Sequence, residues 1–98
     1  MEILESATGQ EIMTPEIIIY SSQFCPFCFR AKAILQQKGV AFTELNVDGN
    51  PQLRQEMTQK SGRRTVPQIW IGERHIGGCD ELMALQSAGK LDALLGVK

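Results

Sequence analysis

No apolar run in this sequence approaches the roughly 18 to 20 residues that a helix needs to cross a bilayer. Neither sign of charge dominates. Ten basic side chains stand against eleven acidic ones, for a formal net charge of -1, so there is no electrostatic case for nucleic acid or an anionic membrane as partner. Cysteine is scarce: three residues, an odd number, are too few for a disulfide framework. Internal repeats and low-complexity segments are missing too. Residues 1–15, MEILESATGQEIMTP, hold no Lys or Arg and no continuous apolar stretch. They predict no secretory signal, and the expected location is cytoplasmic.

What is present describes an ordinary globular domain. At 98 residues, 43% hydrophobic and 21% charged, the chain can bury about two thirds of its unfolded surface in a single core. Residues 1–15 lack helical or strand periodicity and are expected to form a loosely ordered N-terminal extension, with the domain proper spanning 16–98. Ile17-Ile18-Ile19-Tyr20 is a short β-branched run suited to a central strand buried on both faces. From Pro26 to Lys38, Phe27, Ala31, Ile34 and Leu35 follow helical spacing, with Pro26 in the first turn and Gly39 as the stop. Val40 to Val47 returns to strand-like alternation. Asn50-Pro51 then caps and opens a second helix that carries Leu53 and Met57 and ends at Gly62.

Gln68-Ile69-Trp70-Ile71 and Arg74-His75-Ile76 flank a Gly72-Glu73 turn and predict a hairpin. Helices follow from about Asp80 to Ala88 and around Leu91 to Leu95. The order is βαβα followed by ββα, an α/β domain with a four-stranded mixed sheet and helices on both faces. Trp70 and Phe42 are expected in the core, and His75 on a half-exposed strand position.

The chemistry concentrates in SQFCPFCFRAK, residues 22–32, where two cysteines stand three apart. If the helix begins at Cys25, its sulfur meets unpaired backbone N–H groups at the positive end of the helix dipole, which favours the thiolate. Cys28, one turn on and in line with Ala31 and Leu35, should be buried and less ionised. Cys25 is then the attacking sulfur and Cys28 the resolving one. Pro26 stiffens the loop between them, while Arg30 and Lys32 read as a solvated helix face. A metal site is the competing use, because Cys25, Cys28, His75 and Cys79 offer C-x2-C and H-x3-C spacing. Zinc pairs of this kind usually sit in turns, whereas this one opens a helix after a buried strand, and no metal is expected. A purely structural disulfide fits a cytosolic chain less well still.

These residues, in order from Glu16 to Lys98, resemble the dithiol glutaredoxins, small proteins of the thioredoxin-like fold. The resemblance rests on Cys25-Pro26-Phe27-Cys28, on Thr65-Val66-Pro67-Gln68 and on His75-Ile76-Gly77-Gly78-Cys79-Asp80. It implies an enzyme, a glutathione-dependent thiol-disulfide oxidoreductase that reduces protein disulfides and glutathione mixed disulfides. Its partners would be glutathione as co-substrate and disulfide-containing or glutathionylated proteins. A monomer is the default expectation for a domain of this size with no conspicuous surplus apolar face.

The resemblance further implies a glutathione site made of Phe27, Arg54, Thr65, Val66, Pro67, Gly78, Cys79 and Asp80. Val66 would offer its backbone to the tripeptide next to a cis bond at Pro67. Gly77 and Gly78 would let the chain approach the ligand, backbone N–H groups of the next helix would take a carboxylate, and Asp80 would meet the ligand's ammonium. Asp80 also suits a helix N-cap, and Cys79 need not be catalytic, though exposure would make it an accessory oxidation site.

Two positions depart from the family pattern. Ser22 stands where many members carry a lysine for glutathione's glycyl carboxylate, which leaves Arg54 as the cation for that group. Phe27 replaces the usual tyrosine, keeping an aromatic wall without the hydroxyl. The alternatives are a module that binds a [2Fe-2S] cluster through Cys25 and glutathione, against which Pro26 argues, and a thioredoxin-like reductase not served by glutathione.

Overall fold

The triple isoleucine run becomes β1, Ile17–Ser21, and its alternation divides the core in two. Ile17 and Ile19 point to one face of the sheet, and Ile18 and Tyr20 to the other. The computed structural model describes residues 15–97, so the expected extension over residues 1–15 lies, Pro15 apart, outside the described residues. After β1 come α1, Pro26–Gln37; β2, Thr43–Asn46; α2, Pro51–Ser61; β3, Gln68–Ile71; β4, Arg74–Gly77; α3, Cys79–Ser87; and α4, Leu91–Leu95.

The strand order is β2-β1-β3-β4, with β1 and β2 parallel and the other neighbours antiparallel. This is the four-stranded mixed sheet that the element order predicts. Its register sets Ile18 opposite Trp70 and Ile19 opposite Ile69, which continues the division of faces into β3.

On one face, Ile17, Ile19, Ile69 and Ile71 pack with Ala31 and Leu35 of α1, Leu82 of α3 and Leu91 and Leu95 of α4. On the other, Tyr20, Val47 and Trp70 enclose Met57 of α2. Trp70 is buried and Phe42 half-buried against the first cluster, as expected. Helix boundaries follow local chemistry. The Asn50 side chain accepts from Leu53 N–H at 3.1 Å, Pro51 opens α2, and Gly62 closes it at φ 76, the left-handed conformation in which a side chain would be strained.

The second strand is shorter than the Val40 to Val47 alternation suggests. The C-terminus of α1 takes up its start: Gly39 N–H donates to Gln36 C=O and Val40 N–H to Leu35 C=O, so the chain is still closing the helix at Val40. Val40 and Phe42 pack on the core from this turn instead of from a strand. Among the described residues no helix is long and apolar enough to cross a membrane.

Candidate active site

The chain leaves β1 at its C-terminal end and immediately enters the cysteine loop. That loop is anchored to the end of the parallel strand beside it. Ser22 Oγ donates to Asp48 Oδ1 at 2.7 Å and Gln23 N–H to Asp48 Oδ2 at 2.8 Å, while Ser21 Oγ donates to Glu44 Oε2 at 2.6 Å. The Gln23 N–H, with help from the Ser22 hydroxyl, holds the Asp48 carboxyl below its ordinary range. Lys32, 2.8 Å from Glu44, lowers that carboxyl likewise, so Lys32 is engaged in an ion pair on the helix face.

Cys25 is the N-cap of α1. Its backbone is extended, and its sulfur takes the place that a Ser or Asp oxygen usually fills, accepting the Cys28 N–H at 3.1 Å. Cys28 is 1% exposed and sits with Ala31 and Leu35 on the buried side of α1, whereas Cys25 is half-buried. The two sulfurs lie at disulfide distance, with Cα atoms 5.2 Å apart. A cysteine pair three apart at a helix start brings this about through one turn of backbone alone.

Facing the pair is the corner before β3. The Val66–Pro67 bond is cis, and the Val66 carbonyl oxygen lies 3.8 Å from Cys25 Sγ. Buried Gln68 fixes this corner from behind, donating from Nε2 to Thr65 C=O at 3.0 Å and to Thr65 Oγ1 at 3.3 Å, with His75 Nε2 2.7 Å from its Oε1. His75 thus serves the scaffold. Burial, then the charge of Arg63, lowers its pKa, and its ring lies against Trp70.

The Gly77–Gly78 turn completes the arrangement. A Cβ on Gly78 would stand 3.2 Å from Pro67 O, so the two segments touch through bare backbone. Between them lies a cleft of about 180 Å³, lined by Phe27, Thr65, Val66, Pro67, Gly78, Cys79 and Asp80, together with Arg63 and Glu81. A larger groove of about 560 Å³ runs past Ile17, Phe42 and Leu95 at the other end of β1 and has no cysteine or histidine in its walls among the described residues. The cleft beside the cysteine pair is therefore the candidate site.

Seven of the eight residues expected around a ligand therefore share one cleft, and Arg54 does not. Its Nη1 donates to Arg64 C=O at 3.0 Å, and it lines a separate groove on α2 with Pro51, Thr58 and Arg64. Two expectations for the start of α3 need correction. Asp80 is not the N-cap: the helix begins at Cys79, and Glu81 Oε1 instead accepts the Gly78 N–H at 2.7 Å. Nor is Cys79 exposed. It is 4% accessible, and burial raises its thiol pKa, which makes it a poor oxidation site.

Arg63 and Glu81 are cleft residues absent from the sequence expectation, joined at 3.4 Å. Glu81 had a signal, since an acid three residues after the capping position is capping-box spacing. Among the described residues no group of three or more His, Cys, Asp or Glu side chains is placed to hold a metal ion.

The comparisons with known proteins agree with this geometry. The glutaredoxin family model matches residues 17–76. The glutaredoxin of Pseudomonas aeruginosa is 60% identical over 81 residues, 83% of this chain and 96% of that protein. Among solved structures, glutaredoxin from Brucella melitensis superposes with a TM-score of 0.77 at 51% identity, covering 86% of this chain and 91% of that one. A buckwheat glutaredoxin–glutathione complex superposes with a TM-score of 0.76 at 30% identity, covering 91% and 84%. With its CPFC pair at the head of α1 and its sheet of four strands, the chain belongs to the glutaredoxin family, enzymes that exchange thiols and disulfides on a thioredoxin-like fold.

Proposed function

We propose that this protein uses glutathione to reduce disulfides, with Cys25 as nucleophile and Cys28 as resolving thiol. The observation that carries this is the Cys25 sulfur at the N-terminus of α1, accepting a backbone N–H at 3.1 Å, half-buried beside a cleft. The thiolate is the reactive form, and donors at a helix start favour it. Cys28, enclosed in the core, lacks this access.

With a glutathione mixed disulfide, the Cys25 thiolate attacks the glutathione sulfur. A Cys25–glutathione disulfide forms, and the other thiol leaves as a thiolate and takes a proton. A second glutathione thiolate then attacks this disulfide, releasing glutathione disulfide and restoring Cys25. With an intramolecular protein disulfide, Cys25 first bonds to one protein sulfur. Cys28 then displaces that sulfur, which leaves a protein dithiol and a Cys25–Cys28 disulfide for two glutathiones to reduce.

The cleft suits a tripeptide. Val66 offers backbone groups along one wall, Thr65 and Pro67 frame it, and Phe27 forms an aromatic side. At the far end Gly78, Cys79 and Asp80 bring the start of α3 to the ligand's α-carboxylate, with the Asp80 carboxylate for its ammonium. The glutathione bound in the buckwheat relative supports this choice of ligand. Arg54 acts here as a positioning residue, holding the Arg64 carbonyl one residue before Thr65. The protein works as a cytoplasmic monomer on glutathionylated and disulfide-containing proteins, with no resident metal.

Turnover of a glutathione mixed disulfide, coupled through glutathione and glutathione reductase, tests the electron source. Cys28→Ser should spare this reaction and abolish reduction of intramolecular disulfides. Equal loss of both activities would refute the division of roles, and absence of glutathione-coupled turnover in the wild type would refute the electron donor.

A further inference from the structure

Three of the chain's four phenylalanines fall within the six residues that carry the cysteine pair, and all three face solvent. Phe24 is 87% exposed, Phe27 57% and Phe29 74%. Phe27 lines the cleft already described. Phe29, two residues on and so about 200° around the helix, lies on the opposite flank of α1.

Phe24 and Phe29 occupy the position before the N-cap and the fourth helical position of α1, the pair that a hydrophobic staple joins. In a staple the two side chains cover each other. At these exposures they do not, so neither ring is covered among the described residues. From Ser22 to Phe29 the chain has no Asp, Glu, Lys or Arg.

We propose that Phe24 and Phe29 form the docking surface for the protein half of a disulfide substrate, and that they select cysteines flanked by uncharged, apolar residues. The proposal rests on Cys25 being the nucleophile. Cys25 directly follows Phe24 and is one helical turn from Phe29, so a protein sulfur that reaches it brings its flanking residues across these rings. The cleft beyond Phe27 takes the glutathione half. Phe24 and Phe29 remain for the other half, and a charged flank laid on the two rings would lose hydration against apolar carbon.

Two synthetic peptides glutathionylated at a single cysteine, one with Leu and Val flanks and one with Glu and Lys flanks, test this against the glutathione–mercaptoethanol mixed disulfide. The wild type is expected to favour the apolar peptide by about tenfold in kcat/KM, the effect of covering roughly one apolar side chain. The preference should persist at about 0.5 M salt, where an ionic one would fade. Phe24→Ser/Phe29→Ser should lose it while keeping turnover of the mercaptoethanol substrate.

Retention of the preference in the variant, or a parallel loss on the small substrate, overturns the docking role. A fall in Tm of more than roughly 4 °C assigns the pair to a staple instead. Sedimentation of the wild type but not the variant with phosphatidylcholine vesicles, with no peptide preference, assigns the rings to a lipid surface and also overturns it. A wild type inert towards all three substrates overturns the reading of Cys25 itself, a result distinct from the others.

Discussion

Gly77→Ala tests whether the turn between β4 and α3 is built as tightly as the structure requires. Gly77 has φ +116, a conformation nearly confined to glycine, and holding alanine there costs about 1–3 kcal/mol. The added Cβ would also stand 2.7 Å from Glu81 Oε1 and 2.9 Å from Glu81 Cδ and Cγ. That neighbour is the end of a flexible side chain, so Glu81 swings aside, and in doing so it gives up the Gly78 N–H. A lost cap costs about 1 kcal/mol. The Arg63 contact adds little, because both partners are near half exposure.

The expected total is about 2–4 kcal/mol, or a Tm lowered by roughly 8 to 30 °C in a domain of this size. Glu81→Ala alone should cost about 1 kcal/mol, and the double variant should fall short of additivity by a similar amount, because the cap is lost only once. Thermal and urea unfolding of the four proteins measures this cycle. A loss below about 0.5 kcal/mol for Gly77→Ala, or strict additivity with Glu81→Ala, would refute the account.

Ser22→Lys should lower the KM for glutathione by about 1.5- to 5-fold at low salt, since an exposed ion pair contributes about 0.2–1 kcal/mol; an unchanged KM would place the glycyl carboxylate elsewhere. Stability should fall with acid in two steps, visible as urea midpoints at pH 7, 5.5 and 3. Burial holds the His75 pKa below 6.5, so the unfolded chain binds more protons there and stability drops first just below that pH, a step His75→Gln should remove. The Glu44, Asp48 and Glu81 carboxyls titrate below their ordinary 4.5, 3.8 and 4.5, so their contribution is complete at neutral pH and lost as pH falls through and below that range. A midpoint that stays constant to pH 3 would refute both steps.

The elements legible in the sequence are those whose signals are local. Pro26 and Gly39 bracket α1, Asn50-Pro51 and Gly62 bracket α2, and the isoleucine run of β1 reports two buried faces because α1 and α2 cover opposite sides of it. The Cys25/Cys28 pair is legible for the same reason, since three residues along a helix join the two sulfurs without tertiary help. The rest of the site depends on chain segments brought together over long distances. Thr65-Val66-Pro67 and Gly77-Gly78 meet through a backbone approach at Pro67 O, which periodicity does not reveal and only the family resemblance suggests.

Arg63, Asp48 and the burial of Cys79 are tertiary facts of this kind, invisible to spacing. The start of α3 shows how little separates a right assignment from a wrong one. With the helix beginning at Asp80 or just after, that residue would be the natural cap. Because it begins at Cys79, the third helical position belongs to Glu81, whose carboxylate reaches back to Gly78 N–H. Asp80 then stands exposed at the second position, on the wall of the cleft. One residue of helix register thus decides which of two adjacent acids holds the fold and which is left exposed on the cleft wall.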